Sequence, residues 1–174
     1  QFDQVKVGNK NPWLTGGLST ELSYRGLSLS IRMDYAVGHH VTDYRTPEIM
    51  GNAREGANTI TLARDHTYSE SNRQAKYPRY LPMDIVGKFN YNRPSSMFIY
   101  RGDYLALREI SLSYQLPKAW AKRLSMTGLE LSFTAQNLGY LTAAKYVYSP
   151  EPGASGWGGY ALPRVFMLGL NVGL

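Results

Sequence analysis

From Leu27 to Val37 the chain alternates without a break. Leu27, Leu29, Ile31, Met33, Tyr35 and Val37 are apolar or aromatic, and Ser28, Ser30, Arg32, Asp34 and Ala36 lie between them. A period of two places the two sets on opposite faces of a β-strand, whereas a helix would scatter both around its circumference. The strand therefore has one greasy face, and what covers that face decides what the chain is.

The pattern recurs. Leu18, Thr20, Leu22 and Tyr24 alternate with Ser19, Glu21 and Ser23 just upstream. With Arg25-Gly26 as a tight turn, Tyr24 pairs with Leu27, Leu22 with Leu29 and Leu18 with Met33, which aligns both greasy faces and sets Glu21 opposite Ser30. Ile110, Leu112 and Tyr114 alternate with Glu109, Ser111, Ser113 and Gln115, but Leu105 and Leu107 have the wrong parity, so a bulge is expected near Arg108. Leu129, Leu131, Phe133 and Ala135 oppose Glu130, Ser132, Thr134 and Gln136, and Phe166, Leu168, Leu170, Val172 and Leu174 form a last apolar row. Five strands are predicted, at residues 14–24, 27–37, 99–115, 126–137 and 163–174. Their connections are unequal: two are short, whereas residues 38–97 and 138–162 form long loops rich in Gly, Pro, Asn and Tyr. A short helix is expected within residues 47–64. So long a loop argues against an ordinary compact domain.

Alternating short turns and long loops, strands of about ten residues and Tyr near the strand ends fit a transmembrane β-barrel wall. Fourteen Tyr and three Trp among 174 residues suit such an apolar–aqueous boundary. The competing architecture is a soluble antiparallel sandwich, for which five strands are few and terminal Tyr awkward. No stretch is long and apolar enough for a membrane helix. The start, QFDQVKVGNK, lacks the form of a secretory signal, so the chain is expected to be a fragment or a cleaved piece.

Other functions find little support. The formal charge is +6, but the basic residues are scattered with no run of three, so no nucleic-acid partner is expected. Without cysteine there is neither a disulfide framework nor a thiolate site. His39, His40 and His66 are read as loop histidines, because adjacent histidines on an extended chain point apart and no carboxylate spacing supports a metal. No nucleophile triad, phosphate loop or nucleotide fingerprint is present, so neither a catalytic residue nor a cofactor is expected.

The stretches GNKNPWLTGGLSTELSYRGLSLSIRMDYAVGHHV, YRGDYLALREISLSYQLPKAW, LELSFTAQNLGYLT and YALPRVFMLGLNVGL resemble, in this order, the end of the barrel of SusC-like (SusC/RagA-type) TonB-dependent outer-membrane transporters. The resemblance implies an all-β, antiparallel transmembrane segment, about five strands of a 22-stranded barrel around a plug, with residues 38–97 outside the cell. It implies a multi-pass protein of the Gram-negative (Bacteroidetes-type) outer membrane that takes up oligosaccharides or peptides. Its implied partners are the remaining barrel and plug, a SusD-like lipoprotein lid touching residues 38–97, TonB through the plug, the barrel-assembly machinery and the lipid bilayer. Glu21, Arg32, Asp34, Glu109, Glu130 and Gln136 are then lumen-facing candidates. Gly169, Val172 and Leu174 resemble the signal by which the assembly machinery recognises a last strand, although Leu174 stands where the family more often has Phe. A docking platform for surface proteins and a soluble carbohydrate-binding β-sandwich are the alternatives.

Overall fold

A computed structural model describes residues 5–51, 61–80, 91, 95–123, 125–144, 147–153 and 160–173. Strands β1 (Leu14–Tyr24) and β2 (Leu27–Val37) form a hairpin. Its register pairs Tyr24 with Leu27, Leu22 with Leu29, Glu21 with Ser30 and Leu18 with Met33. Arg25 (φ 46°) and Gly26 (φ 85°) both adopt left-handed backbone, the geometry that a two-residue hairpin turn requires. A Cβ on Gly26 would lie 2.7 Å from the Gln115 carbonyl oxygen, so close approach of the next strand adds a second reason for glycine.

After β2 come the short strand β3 (His40–Thr42), helices α1 (Arg45–Gly51) and α2 (Thr61–Asp65), a 3-10 turn at Ser96–Phe98 and the short strand β4 (Ile99–Arg101). Strands β3 and β4 make a separate two-stranded sheet. Strand β5 (Tyr104–Gln115), helix α3 (Lys118–Arg123), β6 (Gly128–Thr142) and β7 (Val165–Gly173) follow. The main sheet is antiparallel throughout, in the order β1-β2-β5-β6-β7.

Three boundaries differ from the sequence-based expectation. The strand expected over residues 99–115 is two strands in different sheets, because Gly102 and Asp103 interrupt it to bind the backbone of His39 and Gly38. The fourth strand runs on to Thr142 past an irregularity at Asn137 (φ 55°), so the second loop starts later than expected. Residues 38–97 contain structure of their own, including Met50, Tyr77 and Tyr91, which cluster with Phe98 just beyond them. Tyr77 stacks on Phe98 at 5.9 Å between ring centroids. Asp43 accepts at Oδ1 from the backbone N–H groups of Arg45 and Thr46, both at 3.0 Å, and so caps the start of α1. The cluster joins residues distant in sequence and leaves no periodicity to detect.

The five long strands align their apolar rows into rungs. Leu22, Leu29, Leu112, Phe133 and Leu168 pair in succession across the whole sheet. So do Thr20, Ile31, Ile110, Ala135 and Phe166. Among the described residues no second layer covers this face: Leu22 is 62% and Leu168 87% exposed. A sandwich would bury these side chains between two sheets about 10 Å apart. Here the sheet stays single and open at the β1 and β7 edges, and the buried aromatic cluster sits in the long connection instead.

Candidate functional site: a polar face braced below the long loops

The opposite face of the sheet carries the polar rows. Near the short turns it is a ladder of hydroxyls: Ser23, Ser28, Ser113 and Ser132 pair in sequence, ending at Gly169. The Ser23 and Ser28 hydroxyls lie 2.9 Å apart, as do those of Ser111 and Thr134 one rung up. Higher still, Ser19, Arg32, Glu109, Gln136 and Val165 form one rung. Arg32 Nη2 lies 3.6 Å from Glu109 Oε2, and Gln136 Nε2 donates to that oxygen at 2.8 Å.

The bulge falls where parity requires it, since Arg32 pairs with Glu109 and Met33 with Leu107, leaving Arg108 without a partner residue in the ladder. The extra residue turns Arg108 onto the polar face beside Asp34. Its Nη2 reaches Asp34 Oδ2 at 2.9 Å and Glu151 Oε1 at 2.6 Å, while its Nε also bonds Asp34 Oδ1. The Tyr140 hydroxyl donates to Glu151 at 2.7 Å, and the Tyr104 hydroxyl to Asp34 Oδ2 at 3.2 Å. The two rings meet edge to face at 5.7 Å, and the guanidinium lies over the Tyr140 ring. One cation thus joins two carboxylates, one on the wall and one on the loop after β6.

Two further contacts fix that loop and the end of β2. His39, fully buried, donates from Nε2 to the Pro150 carbonyl at 2.8 Å. Asp103 Oδ1 accepts from the Gly38 N–H at 2.6 Å, and its other oxygen takes Arg101 at 2.5 Å. The Gly38 N–H, ahead of the Arg101 guanidinium, holds the Asp103 carboxyl below the usual carboxylate range. A hollow beside this corner is lined by Tyr35, Val37, Arg101, Asp103, Leu141 and Thr142.

Of the six polar-face candidates, Arg32, Glu109 and Gln136 form one hydrogen-bonded rung and Asp34 joins the Arg108 cluster. Glu21 pairs in register with Ser30, and Glu130 sits apart near the short turns, between Gln115 and Asn171. Sequence reasoning named Arg108 only as the site of the bulge and missed Tyr104, Tyr140 and Glu151. An arginine at a parity break is the signal that pointed there. Gly169 pairs with Ser132, whose hydroxyl a Cβ would strike, and Val172 lies on the apolar row. Leu174 lies outside the described residues.

A single antiparallel sheet with an uncovered apolar face, a hydrogen-bonded polar face and unequal connections is the wall of a transmembrane β-barrel. Two comparisons find similar walls in a TonB-dependent receptor and in a peptide importer. The chain is 24% identical over 185 aligned residues to TonB-dependent receptor P3 of Formosa agariphila, an alignment covering 98% of this chain and 17% of that protein. It superposes on the RagAB peptide importer in its open-open state with a TM-score of 0.70 at 21% identity, over 94% of this chain and 17% of that one. The closed-closed state gives 0.68 over the same shares, also at 21% identity. No protein-family model matches the chain. The chain spans about one sixth (17%) of the length of these relatives.

Proposed function

We propose that this chain is the carboxy-terminal wall segment of an outer-membrane importer that takes up oligosaccharides or peptides, drawing energy through TonB. The observation that carries the reading is the unbroken rung Leu22–Leu29–Leu112–Phe133–Leu168 on a face that no described residue covers. Hydrocarbon accepts such a face without cost, and a β-barrel is the only sheet that can present it in a bilayer, because closure satisfies the edge groups. The open edges of β1 and β7 then pair with the rest of the barrel. Long connections lie outside the cell and short ones in the periplasm. On this reading the membrane is crossed by several strands, the polar face lines the lumen, and the segment performs no chemistry.

The name of the RagAB peptide importer favours peptides among the candidate solutes. A SusD-like lipoprotein lid would rest on residues 38–97, whose aromatic cluster gives that loop a defined surface. Gly169, Val172 and Leu174 would serve the assembly machinery as the last-strand signal. Uptake of labelled oligopeptides and oligosaccharides by cells carrying the intact barrel, with and without the lid gene and with TonB deleted, tests the reading. Accumulation that needs TonB and the lid supports it. Surface retention of proteins with no uptake of either solute class would favour the docking-platform alternative.

A further inference from the structure

The short-turn end of the sheet carries charge of one sign. Arg25 in the β1–β2 turn and Lys118, Lys122 and Arg123 on α3 are all exposed, and among the described residues none of the four has an ion-pair partner. The two connections are neighbours, since Gln115 N–H donates to the Gly26 carbonyl at 2.8 Å. Between Glu21 and Asp34, and again between Glu109 and Glu130, the chain has no carboxylate. The four flanking carboxylates lie on the polar face, turned from the apolar one. Among the described residues the cations therefore gather without an ion-pair partner.

Aromatic rings mark the same level. Tyr24, Tyr114 and Trp120 are exposed there, Trp120 at 61%, and the Arg25 guanidinium lies 5.2 Å from the centre of the Tyr24 ring. Helix α3 is anchored through buried Ala121 and the bond from Met126 N–H to the Ala121 carbonyl at 3.0 Å, which leaves Trp120 outward. The apolar rungs lead directly to this belt, where Tyr24, Leu27, Tyr114, Leu131 and Leu170 form the rung that crosses all five strands. Amphipathic rings at the edge of an apolar band, with unpaired cations just beyond, match the level of phospholipid headgroups.

We propose that Arg25, Lys118, Lys122 and Arg123 form a docking surface for anionic phospholipid headgroups of the periplasmic leaflet. The occupant follows from charge complementarity and from continuity with the apolar face. The inference rests on the membrane-barrel reading above and adds a lipid preference to it.

The test compares the intact barrel in phosphatidylcholine vesicles with the same barrel in vesicles containing about one third phosphatidylglycerol, following the thermal transition at low salt. The transition should rise with the anionic lipid, and added salt should erase the rise by screening. K118Q/K122Q/R123Q should lose at least half of the shift and R25Q a smaller share. R64Q/R73Q, which removes two cations from the long-loop end, should keep it. Inorganic phosphate added to neutral vesicles should not reproduce it. No shift in the wild type, equal shifts in all variants, or full replacement by phosphate would overturn the proposal. Should the triple variant fail to insert, R25Q against R64Q/R73Q decides. Failure of the wild type to insert into either vesicle would instead refute the membrane reading itself.

Discussion

Arg108 and Asp34 form a two-point ion pair between β5 and β2, at the bulge where the alternation of β5 changes phase. The same guanidinium holds Glu151, so the pair also ties the loop after β6 to the wall. A bulge adds a residue to one strand and redirects its side chain, which is what allows Arg108 and Glu109 to share the polar face.

Removing that cation should loosen the loop before it disturbs the sheet. Arg108→Met leaves Asp34 and Glu151 partly buried with no positive charge between them. The expected loss is about 1–3 kcal/mol, the range for hydrogen bonds to charged groups. Arg108→Lys should restore only part of it, because an ammonium cannot make the forked contact to Asp34 while reaching Glu151. Urea-induced unfolding in liposomes gives the energy. Labelling of a cysteine placed at the buried Ser149 reports the loop, and should accelerate in Arg108→Met. Unchanged labelling would show that Glu151 is held by other means.

Asp103 predicts a pH dependence with a definite sign. Its carboxyl is lowered in the folded protein by the Gly38 N–H first and by Arg101 after it. A lowered folded value means that the ionised form is favoured by folding. Its stabilisation is therefore complete above the ordinary carboxylate range near 4 and disappears as pH falls through the lower, folded value. The difference in transition temperature between the wild type and Asp103→Asn should stay constant from pH 7 to about 5 and shrink in more acid solution. A difference that grew on acidification would contradict the assignment.

The hairpin turn predicts a backbone effect at Gly26. With φ at 85° and an added Cβ only 2.7 Å from the Gln115 oxygen, there is no room for a side chain. Gly26→Val should cost more than the roughly 1–2 kcal/mol of a left-handed non-glycine residue, since the β1–β2 turn must also move away from β5. A reduction of folding yield in liposomes, larger than for Gly26→Ala, is the expected pattern.

The strands were legible in the sequence because their information is local. Period two named the faces, and the apolar rows of Leu22 and Leu29 set the hairpin register. Even the bulge at Arg108 followed from the clash of parity between Leu107 and Ile110. The braces were not legible, because Glu151 meets Arg108 across 43 residues and His39 meets Pro150 across 111. Met50, Tyr77, Tyr91 and Phe98 likewise come together from scattered positions. Such contacts leave no repeat in the chain.

The proposed last-strand signal on β7 predicts an assembly defect. Its apolar row includes Val172, and its Gly169 lies against the Ser132 hydroxyl, so β7 can approach β6 closely there. Deleting residues 172–174 should abolish insertion of the intact barrel in cells. Unassisted folding of the purified protein into detergent should fall much less, because only the pairings of Val172 and Gly173 with β6 are lost from the described ladder. Equal loss in both settings would make the defect one of stability and not of recognition.

Leu29 and Ser30 give the sharpest test of what wets the sheet, because they are neighbours on opposite faces of the same strand. Leu29 sits mid-rung between Leu22 and Leu112, and Ser30 between Glu21 and Ser111. If hydrocarbon covers the first face, Leu29→Arg should cost about 2–4 kcal/mol on folding into liposomes, the range for a cation near the bilayer midplane. Ser30→Arg should cost little, since the polar side offers water and Glu21 within reach. The asymmetry is the prediction, and it requires lipid. In detergent-free buffer both residues would face water and the costs would converge. Equal tolerance at the two positions in liposomes would mean that protein or water covers the leucine row, and a barrel wall would no longer account for it.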